Sequence, residues 1–126
     1  MKFQAICENH LYQKAYTKGK RAVTNGIAVY VLPDYAAKKR AMAHPQKQIT
    51  NRIGLTVSKK LGSAVVRSRL RRILREGLRS LEKERCIKQG FLIVIAARGA
   101  ATSMKSTDVK RELDVAFRKI GMIKEI

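Results

Sequence analysis

Apolar residues return every three or four positions from Val66 to Leu81, alternate with smaller or polar residues from Ile53 to Val57, and run unbroken from Phe91 to Ala96. These patterns predict a helix, a half-buried strand and a strand covered on both faces. The helix starts after Ser63, whose hydroxyl suits an N-cap, and runs to about Leu81. Val66, Leu70, Ile73, Leu74, Leu78 and Leu81 then share an arc of roughly 140°. Nearer the N-terminus, Leu11, Tyr12, Ala15 and Tyr16 form one face of a short helix over residues 8–18, with Asn9 as a cap and Gly19 as its stop. Gly26 to Leu32 reads as a strand closed by Pro33-Asp34, and Ile49 to Ser58 as another. Between them, residues 34–48 hold alanines that permit a turn of helix and Pro45, which breaks it. A flexible basic connection is expected there. A last helix spans about Thr107 to Ile120 on Val109, Leu113, Ala116, Phe117 and Ile120, with Gly121 as its stop.

The order is helix, strands, helix, strand, helix, which suits one α/β domain over residues 1–126. The strand ending near Ser58, the long helix and the strand at 91–96 make a βαβ unit, for which a right-handed crossover is the ordinary expectation. At 45% hydrophobic residues, the chain can build a core and is not a disordered basic tail.

Charge changes the picture. The chain carries 28 Lys and Arg against 9 Asp and Glu, a formal charge of +19, well above the magnitude of about 2–8 that keeps a small domain soluble. Self-repulsion on this scale calls for a polyanionic partner. No run of about 18 apolar residues is long enough to span a bilayer, and the N-terminus lacks the apolar core of a signal peptide. Nucleic acid is therefore the expected partner, and a cytoplasmic place the expected location. Cys7 and Cys86 lie far apart with no metal-ligand spacing, and His10 and His44 pair with neither. Reduced thiols and no protein-bound metal are expected.

The charge concentrates between Ser58 and Glu76, where seven Lys or Arg face one Glu. Arg67, Arg71, Arg75 and Arg79 step along the helix beside its apolar arc, and Arg72 lies farther round on the same side. Guanidinium groups offer planar, multi-donor contacts to phosphate, and the first N–H groups of the helix add an anion site. A charge run is ordinarily a solvated face. Here the lack of interleaved acids and the global charge favour nucleic acid, with Glu76 bridging Arg72 or Arg79 within the helix. Tyr12 and Tyr16 share a helix face, and Tyr30 lies on the next strand. Two readings stand for these rings: stacking platforms for unpaired bases, or anchors that pin the first helix to the sheet. Spacing suggests no Ser/His/Asp or Cys/His set, the histidines read as surface residues, and no glycine-rich phosphate loop is present. No catalytic residue is expected in the protein.

The run from Arg52 to Glu76, Arg-Ile-Gly-Leu-Thr-Val-Ser-Lys-Lys-Leu-Gly-Ser-Ala-Val-Val-Arg-Ser-Arg-Leu-Arg-Arg-Ile-Leu-Arg-Glu, closely resembles the signature of the bacterial ribonuclease P protein components. That signature joins an R-(I/V)-G-L-x-V-x-K-K strand to a basic R-N-R helix. Weaker resemblance extends to Lys18-Gly19-Lys20 and to Arg98-Gly99-Ala100. The resemblance implies a two-layer α/β sandwich of order αβββαβα, like a ribosomal-protein domain, with a left-handed βαβ crossover in place of the right-handed default. It also implies an accessory subunit of a ribonucleoprotein endoribonuclease. There the RNA subunit hydrolyses one phosphodiester bond of precursor tRNA, releases the 5′ leader, and holds the required Mg²⁺ together with the substrate.

By position, the resemblance assigns Lys59, Lys60, Ser63, Arg67, Ser68, Arg69, Arg71, Arg72 and Arg75 to the catalytic RNA, and Tyr12, Tyr16, Tyr30 and Arg98 to the single-stranded leader. The partners implied are ribonuclease P RNA and precursor tRNA, with no membrane and a monomeric free protein. Three residues depart from the family pattern. Ser68 replaces the central Asn of R-N-R, Ser63 replaces a common Asn cap, and Ala97 stands where a basic residue is frequent, leaving Arg98 to cover it.

Other classes fit less well. A ribosome-associated RNA-binding protein would share fold and charge without supporting tRNA processing. A helix-turn-helix module needs a short helix before its recognition helix, whereas Ser63 follows a strand. A membrane-surface helix would leave its apolar arc uncovered in solution, and a protein-only nuclease needs an acidic metal cluster.

Overall fold

The computed structural model describes residues 4–6, 9–43 and 51–124. Cys7, His44, Pro45 and the first residues of the strand expected from Ile49 lie outside the described residues. The elements are β1 (Gln4–Ala5), α1 (Asn9–Lys18), β2 (Lys20–Val23), β3 (Ile27–Pro33), α2 (Tyr35–Ala43), β4 (Arg52–Thr56), α3 (Ala64–Glu84), β5 (Cys86–Ile87), β6 (Phe91–Ala97), α4 (Ser106–Ile120) and β7 (Ile123–Lys124). Short 3₁₀ turns at Lys59–Leu61 and Gly99–Ser103 lead into α3 and α4.

Five strands form one sheet in the order β1-β4-β6-β3-β2. β4 and β6 are parallel neighbours joined through α3, the expected βαβ unit, and β3 runs antiparallel to β6. Side chains alternate across this sheet. Ile27, Val29, Val31, Ile53, Ile93 and Ile95 bury one face against Leu70, Leu74 and Leu78 of α3 and Leu113 and Phe117 of α4. Leu32, Leu92 and Val94 point the other way, onto Leu11 and Ala15 of α1. Sheet against α3 and α4 is the expected sandwich, and α1 adds a smaller cover on the opposite face. The unbroken apolar run at 91–96 follows, because β6 is central and packed on both sides.

Local chemistry sets the helix ends. The Ser63 hydroxyl accepts from the Val66 N–H at 3.4 Å, so the expected N-cap holds. The helix runs one turn past Leu81, to Glu84. Gly121 closes α4 in the left-handed region at φ 83°, where a side chain is strained. Gly77 faces α4 so closely that an added Cβ would lie 2.8 Å from Val109 Cγ1, which brings the two helices together.

Residues 35–43 differ from the expected connection, since Tyr35–Ala43 is a helix of nine residues. Its alanines and lysines favour helix without an apolar stripe, so periodicity gives no signal for it. Below it, a buried polar knot joins three strand ends. Arg52 donates to both carboxylate oxygens of Asp34, at 2.6 and 2.9 Å, and Asp34 is 1% exposed. Buried Asn51 donates to the Lys88 carbonyl and accepts from the Phe91 N–H, both at 2.9 Å. The knot ties the ends of β3, β4 and β6 together.

Candidate nucleic-acid interface

The basic ridge begins where β4 and β6 end. Lys59 and Lys60 occupy an exposed 3₁₀ turn, capped by the Ser58 hydroxyl, which accepts from the Lys60 N–H at 3.2 Å. Ser63 then opens α3, whose apolar arc is buried as expected. Arg67 and Arg71 sit at the border of that arc and are half-buried, while Arg72, Arg75 and Arg79 stand fully in solvent. Arg67 Nε is buried without a hydrogen-bond partner. Arg67, Arg71 and Arg75 form no ion pair among the described residues, whereas Arg72 pairs with Glu76 at 3.0 Å, one of the two bridges expected.

Arg69 is different. It lies about 160° round the helix from Arg71, and its guanidinium donates to the carbonyls of Thr102 and Met104 at 3.2 and 3.1 Å. It clamps the turn before α4 rather than extending the ridge. Ser68 is exposed and makes no printed cap or ladder contact of its own.

Acids cluster away from this end. From Ala64 to Arg75, α3 has none, while Glu76, Glu82 and Glu84 fall in its second half. The hydrogen bond from Lys110 holds the Glu84 carboxyl below the usual carboxylate range, and burial pushes Glu82 above it. Asp114 faces both Arg85 and Arg118, at 3.8 and 3.1 Å. The acids of α3 and α4 are thus engaged far from Arg67, and the first three turns of α3 keep a single-sign field.

The tyrosines meet on the face that α1 covers. The rings of Tyr16 and Tyr30 stand edge to face with centroids 4.8 Å apart. The Tyr16 hydroxyl donates to Thr56 Oγ1 at 3.3 Å, and Tyr16 remains 38% exposed. Tyr12 lies deeper, flat against Gly54, where any Cβ would fall 2.5 Å from its ring. Both readings therefore have a share: Tyr12 pins α1 to the sheet, while Tyr16 keeps an accessible ring. Register places Gly54, Val94, Tyr30 and Arg21 in one row across the strands, and Thr56, Ala96, Ala28 and Val23 in the next. Small residues in the second row leave a shallow groove beside the rings.

Arg98 closes the groove at the ridge end. Its side chain donates to the Thr24 carbonyl at 2.5 Å, and its N–H to the Gly26 carbonyl at 2.8 Å. Glu112 of α4 holds the same hairpin by accepting from Thr24 Oγ1 and from the Gly26 N–H. Arg21 and Thr56 join the groove although the sequence analysis did not single them out. Arg21 would have followed from pairing β2 with β3, because directly opposed residues of an antiparallel pair share a face.

Among the described residues no group of three or more His, Cys, Asp or Glu is placed to hold a metal ion. His10 and Cys86 are exposed. No helix among the described residues is long and apolar enough to cross a membrane.

Known proteins share both sequence and fold. The chain is 32% identical over 123 residues to the ribonuclease P protein component of Clostridium acetobutylicum, covering 98% of this chain and 93% of that protein. It is 35% identical over 117 residues to the corresponding component of Bacillus cereus strain Q1, covering 93% and 90%. The RNase P protein of Staphylococcus aureus superposes with a TM-score of 0.75 at 24% identity, covering 98% of this chain and all of that one. That of Thermotoga maritima gives 0.65 at 21% identity, covering 85% and 89%. The profile of the family described as Ribonuclease P matches residues 1–121. With that match and these relatives, the chain belongs to the ribonuclease P protein family, the protein component of an endoribonuclease ribonucleoprotein that processes tRNA 5′ ends.

Proposed function

We propose that the two surfaces divide the work of the holoenzyme. The ridge of Lys59, Lys60, Arg67, Arg71, Arg72 and Arg75 docks on ribonuclease P RNA, and the groove of Tyr16, Tyr30 and Arg98 takes the precursor's 5′ leader. The observation that carries this reading is the separation of unpaired guanidinium groups from accessible aromatic rings, on different faces of one sheet. Polyphosphate backbones bind through released counterions, whereas unpaired bases bind through stacking. Ser63 and Ser68 keep hydroxyls facing the same RNA in place of amides, and Arg69 contributes by holding the turn before α4.

The bond broken is the phosphodiester joining leader to tRNA. Water adds to phosphorus, the 3′ oxygen of the leader departs, and the RNA subunit carries the step. The protein supplies no metal ligand set in this reading, so the Mg²⁺ the reaction requires is held by RNA and substrate. Its positive ridge screens phosphate repulsion, which lowers the Mg²⁺ needed to assemble the site. The free protein is a cytoplasmic monomer.

The test is cleavage of 5′-labelled precursor tRNA at low Mg²⁺, comparing the protein alone, a bacterial ribonuclease P RNA alone, and both together. Cleavage at the mature 5′ end with both, and only with both, is expected. Equal affinity of the holoenzyme for precursor and mature tRNA would remove the leader groove from the mechanism.

A further inference from the structure

A second concave site lies at the opposite end of the sheet from the ridge. β4 and β6 run parallel, and β3 runs against them, so Pro33, Phe91 and Arg52 share the end remote from Lys59. There a cavity of about 380 Å³ opens between the end of α1, the end of β3 and the end of α4. This is within the range of about 300–1,000 Å³ usual for small-ligand sites. Its lining combines Lys18, Lys20 and Lys88 with the rings of Tyr35 and Phe91 over an apolar floor, and includes no carboxylate. Tyr35 is 67% exposed, and Phe91 is half-buried.

The backbone of Lys88 already belongs to the fold, since its N–H donates to the Met122 carbonyl at 2.8 Å and its carbonyl accepts from Asn51 at 2.9 Å. Its side chain is exposed and serves no such purpose. Three ammonium groups around an apolar floor with an aromatic wall match a nucleotide: phosphate for the lysines, a base for the rings. A neutral apolar ligand would leave the lysines without a role, and a simple anion would leave the rings without one.

The position names the source. Lys18 ends α1 and Pro33 ends β3, the two elements that carry Tyr16 and Tyr30. We propose that this pocket binds one nucleotide of the precursor's leader, farther from the cleavage site than the nucleotides on the tyrosines. The assignment rests on the leader-groove reading above, which sets the ridge and the cleaved bond at the other end. The leader then has two grips, a near one on Tyr16 and Tyr30 and a far one on Tyr35 and the lysines.

The experiment measures the affinity of the holoenzyme for precursor tRNAs whose leaders lengthen one nucleotide at a time. It compares wild type, Tyr16→Ala, Lys88→Ala, Tyr35→Ala and the Lys88→Ala/Tyr35→Ala double variant. Circular dichroism and assembly with the RNA subunit are checked for each. Wild type should gain affinity in two steps as the leader grows. The double variant should keep the first step and lose the second, by about fivefold or more, the scale of one stacked base. Tyr16→Ala should lose the first step. Retention of both steps by the double variant overturns the pocket alone. Equal weakening for mature tRNA, or weakened assembly with the RNA subunit, also overturns it, by showing that the pocket meets other RNA. No dependence on leader length in wild type overturns the groove and the pocket together.

Discussion

The ridge on α3 and the groove under α1 leave different things unsatisfied. Arg67, Arg71 and Arg75 stand on a rigid helix with no ion pair among the described residues, and one of them keeps a buried Nε without an acceptor. The rings of the groove are each tied: Tyr16 to Thr56 and Tyr30, Tyr12 to the bare backbone of Gly54. On the ridge the folded protein withholds compensation, so an external phosphate gains the full electrostatic interaction. In the groove it spends its own contacts to hold the rings still, so a stacking base orders little more on binding. Long-range charge sets assembly and its salt dependence, and short-range fit sets discrimination between leader and no leader.

The strongest way to break this contrast is to remove what both surfaces share. Asp34→Ala strands the buried Arg52 guanidinium at the junction of β3, β4 and β6. A loss of about 3–5 kcal/mol is expected, because removing one partner of a buried pair leaves the other charge uncompensated. Urea unfolding would measure it, and RNA assembly and leader binding should fail together near the shifted midpoint.

Next comes the ridge by itself. Changing Arg67, Arg71 and Arg75 together to alanine should weaken assembly with the RNA subunit. It should also flatten the plot of log affinity against log salt by about three contacts, roughly 0.7–0.9 in slope for each phosphate released. Arg71→Ala alone should remove about one. A slope that stays at the wild-type value in the triple variant would move the phosphate contacts elsewhere.

Tyr16→Ala acts on the other side of the comparison. It should cost about 1–3 kcal/mol in precursor affinity while sparing mature tRNA and assembly. Tyr16→Phe keeps the ring and loses the hydroxyl contact to Thr56, worth about 1 kcal/mol or less at an exposed site. If the phenylalanine variant lost as much as the alanine one, hydrogen bonding and not stacking would hold the leader.

The smallest effect sharpens where the ridge stops. Arg69 spends its guanidinium on the carbonyls of Thr102 and Met104. Arg69→Ala should lower thermal stability by about 1 kcal/mol and leave the salt slope unchanged. A fall in slope equal to that of Arg71→Ala would return Arg69 to the phosphate contacts.

Much of this architecture is legible in the chain because its causes are local. Ser63 caps α3 and Gly121 ends α4 through contacts within a few residues, and the stripes of α3 and α4 arise from helical periodicity. The family signature from Arg52 to Glu76 adds the ridge, since its basic residues are contiguous in sequence. What local pattern leaves open is what distant segments decide. Helix α2 has no apolar stripe, so nothing in its periodicity separates it from a connection, and the two-residue strands β1, β5 and β7 exist only through their partners.

The sites divide along the same line. Residue spacing by itself determined that one helix carries a buried seam beside a file of arginines, since both follow from about 100° per residue. Only the tertiary structure decided that Arg69 faces two carbonyls thirty-odd residues away and that Tyr16 meets Tyr30. It likewise decided that Tyr12 rests on Gly54 and that Lys18 and Lys88 line one cavity. A helix is specified by neighbours a turn apart. A groove or pocket is specified by which strand ends lie side by side, and that is settled by packing of the whole core.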